Sequence, residues 1–369
     1  MDFDKIVLFA KQPGQTSFSS LFTIKHALGT KKAGHTGTLD SFASGLLVVC
    51  AGSLTRIASR ITEFDKEYEA VLQFGAETDT LECTGSMVRT AALPSKKNVE
   101  AAVSQFSGTL MQRPPLFSAI HIDGKRASDI ARSGKSAEMP ERQITVYNSK
   151  ILEWKCNEDG AVSAVRILFN VSKGTYIRSL ARDIGAACGS AAHLTGLYRT
   201  RVGSFSVENA AGFDLLPEFT IESALQNAET LCAAEKRRAQ LELDLKARGI
   251  PRREWKSYMP DTRTGSPAEE LLQRQVREKA YDMNRQIAVQ CGFACLTVRK
   301  DMENVFRNGG KLRSAMFDVS PFTLQEDFAA VFTSDERFAG LLQKDCEGYF
   351  GYAFVNSSFG QHRPPSFVR

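Results

Sequence analysis

The sequence predicts an α+β fold in which a largely antiparallel mixed sheet is flanked by helices. Apolar residues alternate along KEYEAVLQFG (66–75) and AVSAVRILFNVS (161–172), as in strands that turn one face to a core. From residue 177 to residue 188 they recur instead at helical spacing. Strands and helices follow each other without regular β-α-β alternation, which favours antiparallel pairing over a parallel, doubly wound sheet.

The composition is that of a globular protein with a sizeable core. The chain has 369 residues, 43% of them hydrophobic and 24% charged, which is enough for two or three domains. Its net charge of +5 permits a polyanionic partner without requiring one. The N-terminus is acidic and no apolar stretch approaches the ~18 residues that a membrane helix needs, so we expect a cytoplasmic protein that makes no contact with a membrane. The eight cysteines contain no C-x-x-C pair, which favours reduced thiols over a metal site.

Local signals place the other elements in order along the chain. The first strand, KIVLFAK, ends before a Pro-Gly pair, and Thr16 or Ser17 then caps a short helix that runs through His26. The segment 117–143 is long, polar and studded with glycine, which indicates a functional loop. Further strands are expected at 46–51, 66–75, 144–154 and 161–172, with a helical turn at 55–64 and a helix at 97–108.

The amino-acid composition of the chain changes after about Pro217. Residues 231–290 are helix-prone and carry 13 Lys and Arg against 9 Asp and Glu, which is typical of a solvated helical hairpin whose basic surface could also hold a nucleic acid. From about Cys291, short strands and turns resume in NGGKL, FAAVF, FAGLL and YFGYAFV. We therefore expect three parts: a main domain at 1–220, a charged helical insertion or linker at 221–290, and a small β-rich domain at 291–369.

One carboxylate lies at an unusual place in the sequence. The stretch AGHTGTLDSFASGLLVVCAG, residues 33–52, carries Asp40 to the edge of an apolar run that is typical of a buried strand. A charge in such surroundings is costly. Asp40 therefore either caps a local turn or is held there for chemistry, and the residues alone leave both alternatives open.

GHTGTLD followed by ASGLLVVCAG resembles the catalytic signature of the TruB family of tRNA pseudouridine synthases. Other segments resemble further motifs of this family in the same order, across residues 5–215: FAKQPGQTS, KEYEAVLQFGAETDTLECTG, SKGTYIRSLARDIG and HLTGLYRTRVGSF. The resemblance implies a pseudouridine synthase core for residues 1–220. It also implies that the protein isomerises uridine to pseudouridine at position 55 in the T-loop of tRNA, without a cofactor or a metal.

The resemblance further implies roles for the residues at matching positions. Asp40 would be the essential aspartate for breaking and re-forming the glycosidic bond, either as a nucleophile or as a base on the ribose. Arg178 would pair with Asp40, because a carboxylate in an apolar pocket needs a cationic partner. Tyr68 would stack on the target base and take the C5 proton. The structural alternatives are a turn cap for Asp40, an exposed helix arginine for Arg178 and a core tyrosine for Tyr68.

Other positions match the family's pocket and its grip on RNA. Tyr176 would be a second pocket residue, Lys173 a pocket or phosphate contact, and Leu197 an apolar wall. His35 would fill the stack that the target uridine vacates when it flips out of the tRNA, although a lone histidine is more often structural. The loop 117–142 resembles an insertion that grips the T-arm through phosphate contacts. Its basic residues are Lys125, Arg126, Arg132 and Lys135.

The chain also departs from the family pattern. Ser41 stands where the family usually has proline, and His121 and Ser128 replace residues that are commonly lysine and tyrosine in the gripping loop; these changes bear on affinity more than on activity. Residues 228–290 have no counterpart in the compact bacterial enzymes, and the β-rich part beyond them weakly resembles an RNA-binding domain of the PUA type. We expect a monomer that binds the T-arm of tRNA. Two alternatives stay open: the same fold acting on another RNA, and a tRNA-binding or folding module with dispensable catalysis.

Overall fold

A computed structural model of the protein describes residues 4–122, 124–133, 138–258 and 267–356. Within these ranges the strands are β1 (Lys5–Lys11), β2 (Ala33–His35), β3 (Ser44–Ala51), β4 (Lys66–Phe74), β5 (Ala76–Thr78), β6 (Met87–Thr90), β7 (Gly108–Gln112), β8 (His121–Ile122), β9 (Lys125–Arg126), β10 (Arg142–Cys156), β11 (Val162–Val171), β12 (Ala192–Val202), β13 (Phe205–Ser206), β14 (Tyr281–Asp282), β15 (Ala294–Thr297), β16 (Phe328–Phe332), β17 (Phe338–Lys344) and β18 (Phe350–Val355). The α-helices are α1 (Ser17–Leu28), α2 (Ala58–Thr62), α3 (Lys96–Gln105), α4 (Ala127–Arg132), α5 (Ile177–Ala187), α6 (Ile221–Ala247), α7 (Pro267–Lys279), α8 (Arg285–Gln290) and α9 (Glu303–Arg307). Short 3-10 helices occupy Gly52–Ile57, Val207–Asn209, Phe213–Leu215, Arg252–Ser257, Lys300–Met302, Ser314–Met316 and Pro321–Thr323.

A ten-stranded sheet forms the centre of the described part of the chain. Its strand order is β14-β1-β3-β12-β4-β11-β10-β7, with β13 on β12 and β2 on β3. Neighbouring strands pair antiparallel except β3 and β12, which run parallel over a short contact. A second sheet of four strands, β15-β16-β17-β18, contains a parallel pair of β15 and β16. The prediction of an α+β fold with a largely antiparallel mixed sheet is confirmed.

Hydrophobic cores lie on both faces of the main sheet. On one face, the alternating side chains of β11, such as Ile167 and Phe169, are fully buried together with Leu180 and Ile184 of α5, as their spacing predicts. On the other face, the start of α6 packs against β4, β11 and β12. The first turn of the amphipathic helix α5, together with the residues just before it, lines a cavity at one end of the main sheet.

The first strand shares its core with the C-terminal part of the chain. Ile6 of β1 and Leu46 of β3 pack in one cluster with Ile287 of α8 and with Phe332 and Leu341 of the small sheet. Strand β14, inside the predicted insertion, extends the main sheet beside β1, and α7 packs along α1. The domain limits at 220 and 290 stay a prediction, and side chains from beyond both limits join this core.

Most local predictions are confirmed. Thr16 caps α1 by accepting a hydrogen bond from the Ser19 N–H at 3.0 Å. The segment 117–143 contains the β8–β9 hairpin and α4. NGGKL, in the region where short strands and turns are expected, forms a turn: Gly309 has a φ of 66° and its N–H donates to the Phe306 carbonyl at the end of α9. Among the residues that the structure describes, no helix combines the length and the apolar composition that crossing a membrane would take.

Candidate active site

A glycine-rich turn between β2 and β3 carries Asp40 to the wall of a cavity. Helix α1 anchors this turn, because the buried Ser17 hydroxyl accepts a hydrogen bond from the Leu39 N–H (2.8 Å) and donates one to the Leu39 carbonyl (3.0 Å). The Asp40 side chain is nevertheless 31% exposed. The turn therefore presents the carboxylate to a ligand instead of burying it.

A buried arginine fixes the same turn from the other side. Arg199 of β12 is 2% exposed and donates to the carbonyls of Gly37 (3.1 Å) and Leu46 (2.7 Å). At Gly45 the chain has a φ of 103°, and a Cβ there would lie 2.4 Å from the Arg199 carbonyl oxygen, so only glycine suits this position. Sequence spacing does not single out Arg199, because it gives no sign that this strand arginine is buried.

Arg178, the second residue of α5, meets the carboxylate of Asp40. Its Nε lies 2.9 Å from Oδ2 and its Nη2 donates to Oδ1 at 3.1 Å, so the guanidinium contacts both oxygens. It also donates to the backbone carbonyls of Thr80 (2.8 Å) and Phe117 (3.0 Å). Because the Arg178 side chain is only 6% exposed, these partners and not water hold it in place. The structure therefore brings Asp40 and Arg178 together, with the arginine orienting the carboxylate.

The cavity beside this pair has a volume of about 440 Å³, a size typical of small-ligand sites. Tyr68 of β4 and Leu197 of β12 line it and are themselves largely buried. Tyr176, the residue directly before α5, lines another part of the wall. Predicted site residues that share this one cavity are Asp40, Tyr68, Tyr176, Arg178 and Leu197.

A glutamine side chain holds the backbone of Tyr176. Gln112, at the end of β7, is 2% exposed. Its amide nitrogen donates to the Tyr176 carbonyl (3.0 Å) and its amide oxygen accepts from the Tyr176 N–H (2.9 Å). The Arg142 guanidinium lies 4.6 Å from the centre of the Tyr176 ring, within the range of a cation–π contact. Gln112 thereby fixes the start of the helix that carries Arg178.

Two predicted site residues, His35 and Lys173, are not among the side chains that line this cavity. His35 ends β2 half-buried, and its Nδ1 has no hydrogen-bond partner within the described residues. Burial, and after it the charge of Arg199, lowers the pKa of His35, which favours the neutral ring. Lys173 is exposed and forms an ion pair with Glu63. The structure thus does not bring either residue into the cavity.

Two charged groups near the cavity, the buried Lys66 and the half-buried Glu82, were not predicted from the sequence. Lys66 lines the cavity, is 8% exposed and donates to the Thr62 and Phe64 carbonyls. Burial lowers the pKa of Lys66 to about 8. Glu82 lies on the loop after β5, where burial, and after it the charge of Asp40, raises the pKa of its carboxyl to about 7. Burial of a charged side chain is a property of the fold that no spacing reveals.

The loop between β7 and β10 borders the same cavity. Arg126, Ser128 and Arg132, on β9 and α4, are among its lining residues. Lys125 is exposed beside Arg126, and Lys135 lies outside the described residues. In the described ranges, no three His, Cys, Asp or Glu side chains are placed to hold a metal ion together. That the protein uses neither metal nor cofactor stays a prediction.

Comparison with known proteins points to one family. Residues 25–177 match the N-terminal domain of the TruB family pseudouridylate synthases. The tRNA pseudouridine synthase B of Treponema denticola is 48% identical over 229 residues, which cover 58% of this chain and 64% of that relative. The protein of the same name from Treponema pallidum (strain Nichols) is 34% identical over 364 residues, which cover 94% of this chain and 96% of that relative.

A solved structure resembles the whole fold. An H/ACA ribonucleoprotein bound to a substrate RNA containing 2′-deoxyuridine includes a chain that matches with a TM-score of 0.55, over 95% of this chain and 83% of that one. At 20% identity this likeness concerns the fold alone. Because the Treponema pallidum relative aligns along nearly its whole length, the chain belongs to the TruB family of pseudouridylate synthases.

Proposed function

We propose that the protein isomerises uridine to pseudouridine at position 55 in the T-loop of tRNA. The observation that carries this proposal is the pairing of Asp40 with Arg178 at the wall of a cavity whose volume suits a flipped nucleotide. Membership of the TruB family supports the reaction. The relatives named tRNA pseudouridine synthase B support tRNA as the substrate.

Asp40 supplies the carboxylate that the reaction needs. Uridine is joined to C1′ of the ribose through N1, and pseudouridine is joined through C5. The carboxylate breaks the N1–C1′ bond, either as a nucleophile on the ribose-base unit or as a base on the ribose. The released base then turns and C5 bonds to C1′. This step displaces the carboxylate if it had bonded there, or returns to the ribose the proton that the carboxylate had removed. C5 then loses its proton, and N1 gains one. Because Arg178 contacts both carboxylate oxygens, Asp40 meets the nucleotide in a fixed orientation.

The walls of the cavity keep the detached base in place. Tyr68 offers an aromatic face for stacking on the flipped base, and its hydroxyl relays the C5 proton by accepting it at oxygen while its own proton passes on. Tyr176 and Leu197 enclose the base from other sides of the same cavity. A base that is released and must turn over needs such an enclosure, because contact with bulk water would let it escape before the second bond forms.

Side chains around the cavity hold the RNA. The exposed cations Lys125, Arg126 and Arg132 contact phosphates of the T-arm and position the tRNA without reading its sequence. His35 enters the stack that the flipped uridine leaves, where a neutral ring is preferable to a charged one. When tRNA binds, Lys173 leaves the carboxylate of Glu63 and pairs with a phosphate of the RNA.

We further propose a division of labour along the chain. Residues 1–220 carry out catalysis, 221–290 form a charged helical insertion, and 291–369 form an RNA-binding domain of the PUA type. The exposed basic side chains of α6 and the separate four-stranded sheet support this division. The protein acts as a monomer in the cytoplasm.

Tritium release tests the reaction and its position together. A tRNA transcript labelled with tritium at C5 of its uridines should release tritium to water, and chemical mapping should find pseudouridine at position 55. A matched transcript with cytidine at position 55 should release none. Equal release from both transcripts would contradict the position, and no release from either would contradict the activity.

A further inference from the structure

Two cysteine side chains meet where α6 crosses the loop between β5 and β6. The Cys232 thiol donates to the Cys83 backbone carbonyl at 3.0 Å, so the two cysteine residues are in direct contact. Both residues are partly exposed, whereas Cys50 and Cys291, which also lie near each other, are fully buried. The first pair is therefore less shielded from solvent than the second.

The loop that holds Cys83 also holds Arg178. Its Thr80 carbonyl accepts a hydrogen bond from Arg178 Nη1 at 2.8 Å. The loop is tightly wound, because Leu81 has a φ of 61° and a Cβ at Gly85 would lie 2.2 Å from Thr80 Oγ1. So tight a turn has little room to absorb a shift of Cys83, and the Thr80 carbonyl moves with it.

Helix α6, which carries Cys232, is firmly held by the rest of the fold. Thr220 caps it with a capping box. Ile221 and Ala224 are buried against the main sheet, and Leu231, the neighbour of Cys232, packs against the largest core cluster. So well anchored a helix leaves part of the displacement to the loop when the two thiols approach each other.

We propose that Cys83 and Cys232 are a dithiol site that hydrogen peroxide oxidises to a disulfide, and that this disulfide slows the reaction at Asp40. The site itself is independent of the proposed function, and only its effect on the reaction rests on that function. An S–S bond of about 2.05 Å is shorter than any contact between two thiols. The bond therefore pulls the loop, and with it the Thr80 carbonyl, away from its place beside Arg178.

The oxidation balances in two steps. One thiol reacts with peroxide to give a sulfenic acid and water; the second thiol attacks that sulfur, the S–S bond forms, and the hydroxyl leaves with the thiol proton as a second water. Two thiols thus give two electrons and two protons to one peroxide. Burial raises the pKa of Cys83 to about 12 and so keeps this thiol protonated, which makes it a slow nucleophile toward peroxide.

Peptide mapping by mass spectrometry tests the site without reference to activity. After peroxide treatment and alkylation of the remaining thiols, the full chain should contain a Cys83–Cys232 cross-linked peptide that dithiothreitol removes. The Cys346→Ser variant, which changes an exposed cysteine, should give the same cross-link, and Cys232→Ser should not. Oxidation of Cys346 without this cross-link in the unaltered chain would overturn the proposal.

Single-turnover tritium release tests the effect on catalysis. At saturating enzyme, the oxidised protein should react about tenfold more slowly or worse, because a small displacement of an orienting group is costly to the rate. Dithiothreitol should restore the rate, tRNA affinity should not change, and Cys232→Ser should be insensitive to peroxide. Equal rates with the cross-link present would overturn this effect. No release from the reduced protein would count against the proposed function, while the mapping still decides the site.

Discussion

Arg178 and Asp40 are 138 positions apart in the sequence, yet Nε of the arginine lies 2.9 Å from Oδ2 of the aspartate. The same guanidinium donates to the carbonyls of Thr80 and Phe117. One side chain therefore joins the glycine-rich turn, the β5–β6 loop and the start of the loop that borders the cavity. A displacement of any of these segments should therefore move Arg178 and, through it, the carboxylate of Asp40.

Replacing Arg178 by Lys should slow the chemical step strongly. A single ammonium cannot contact both carboxylate oxygens and two carbonyls at once, so Asp40 loses its fixed orientation. We expect a loss of about 10²–10³-fold in the single-turnover rate, the range seen when one preorganised donor is removed. The matched control is Arg182→Lys on the same helix, whose arginine pairs with Asp183 outside the cavity lining. Equal losses of rate in the two variants would contradict a specific role for Arg178, because they would show that any such change in α5 slows the reaction.

Replacing Gln112 by Ala should reduce both stability and rate. The change leaves the N–H and carbonyl of Tyr176 without their buried partner, which costs about 1–3 kcal/mol in the free energy of unfolding. Because Tyr176 precedes α5, the single-turnover rate at saturating enzyme should fall as well. Gln143→Ala, an exposed glutamine on the neighbouring strand β10, is the control for urea unfolding and for rate. A stability loss with an unchanged rate would remove Gln112 from the positioning of the site.

Replacing Lys125, Arg126 and Arg132 together by Ala should weaken tRNA binding and make it less dependent on salt. Fewer phosphate contacts release fewer counterions, so the slope of log affinity against log salt should become shallower. The chemical step at saturating enzyme should change little. Lys97→Ala with Lys150→Ala removes cations that do not line the cavity and should leave the slope unchanged. A collapsed chemical step with intact affinity would instead place these residues in the reaction.

The carboxyl of Glu82 should make stability depend on pH. Its pKa is about 7 in the folded protein against 4.5 for the ordinary group, chiefly because it is buried. Between these values the folded state binds more protons than the unfolded state, so the free energy of unfolding should fall as the pH rises from about 4.5 to about 7. Glu82→Gln is neutral throughout and should flatten this fall in urea titrations. Glu77→Gln, in the same hairpin, should not, and an unchanged slope in Glu82→Gln would contradict the assignment.

Periodicity predicted those elements that turn one face to a core. The alternation along β11 placed Ile167 and Phe169 correctly because strand geometry sends every second side chain to the same face. The glycines of NGGKL carry no such alternation, and they form the turn that ends α9. Strand β14 could not be predicted, since its two residues carry no period and their partner, β1, lies at the other end of the chain.

Resemblance to the family motifs predicted only some of the residues of the candidate site. The resemblance predicted that Asp40 and Arg178 pair, although they are 138 positions apart in the sequence. No local sequence pattern could have predicted this pair. Arg199 and Glu82 lie inside matching segments, but the match assigned them no role, and Gln112 lies outside those segments. The roles of these three residues come from burial and from contacts that exist only in the folded chain. Side-chain position also cannot be read from a motif: Lys173 matches one, yet it pairs with Glu63 outside the cavity lining.

The most direct test of the central claim is tritium release from tRNA labelled at C5 of uridine by the Asp40→Asn variant, with tRNA binding measured in parallel at fixed salt. Asparagine keeps the size of the side chain and removes its charge and basicity, so turnover should fall by several orders of magnitude whether Asp40 is a nucleophile or a base. Binding should survive, because it depends mainly on phosphate contacts. Asp65→Asn, an exposed carboxylate that does not line the cavity, should behave like the unaltered protein. Near-normal release from Asp40→Asn would contradict the claim that this carboxylate carries the reaction.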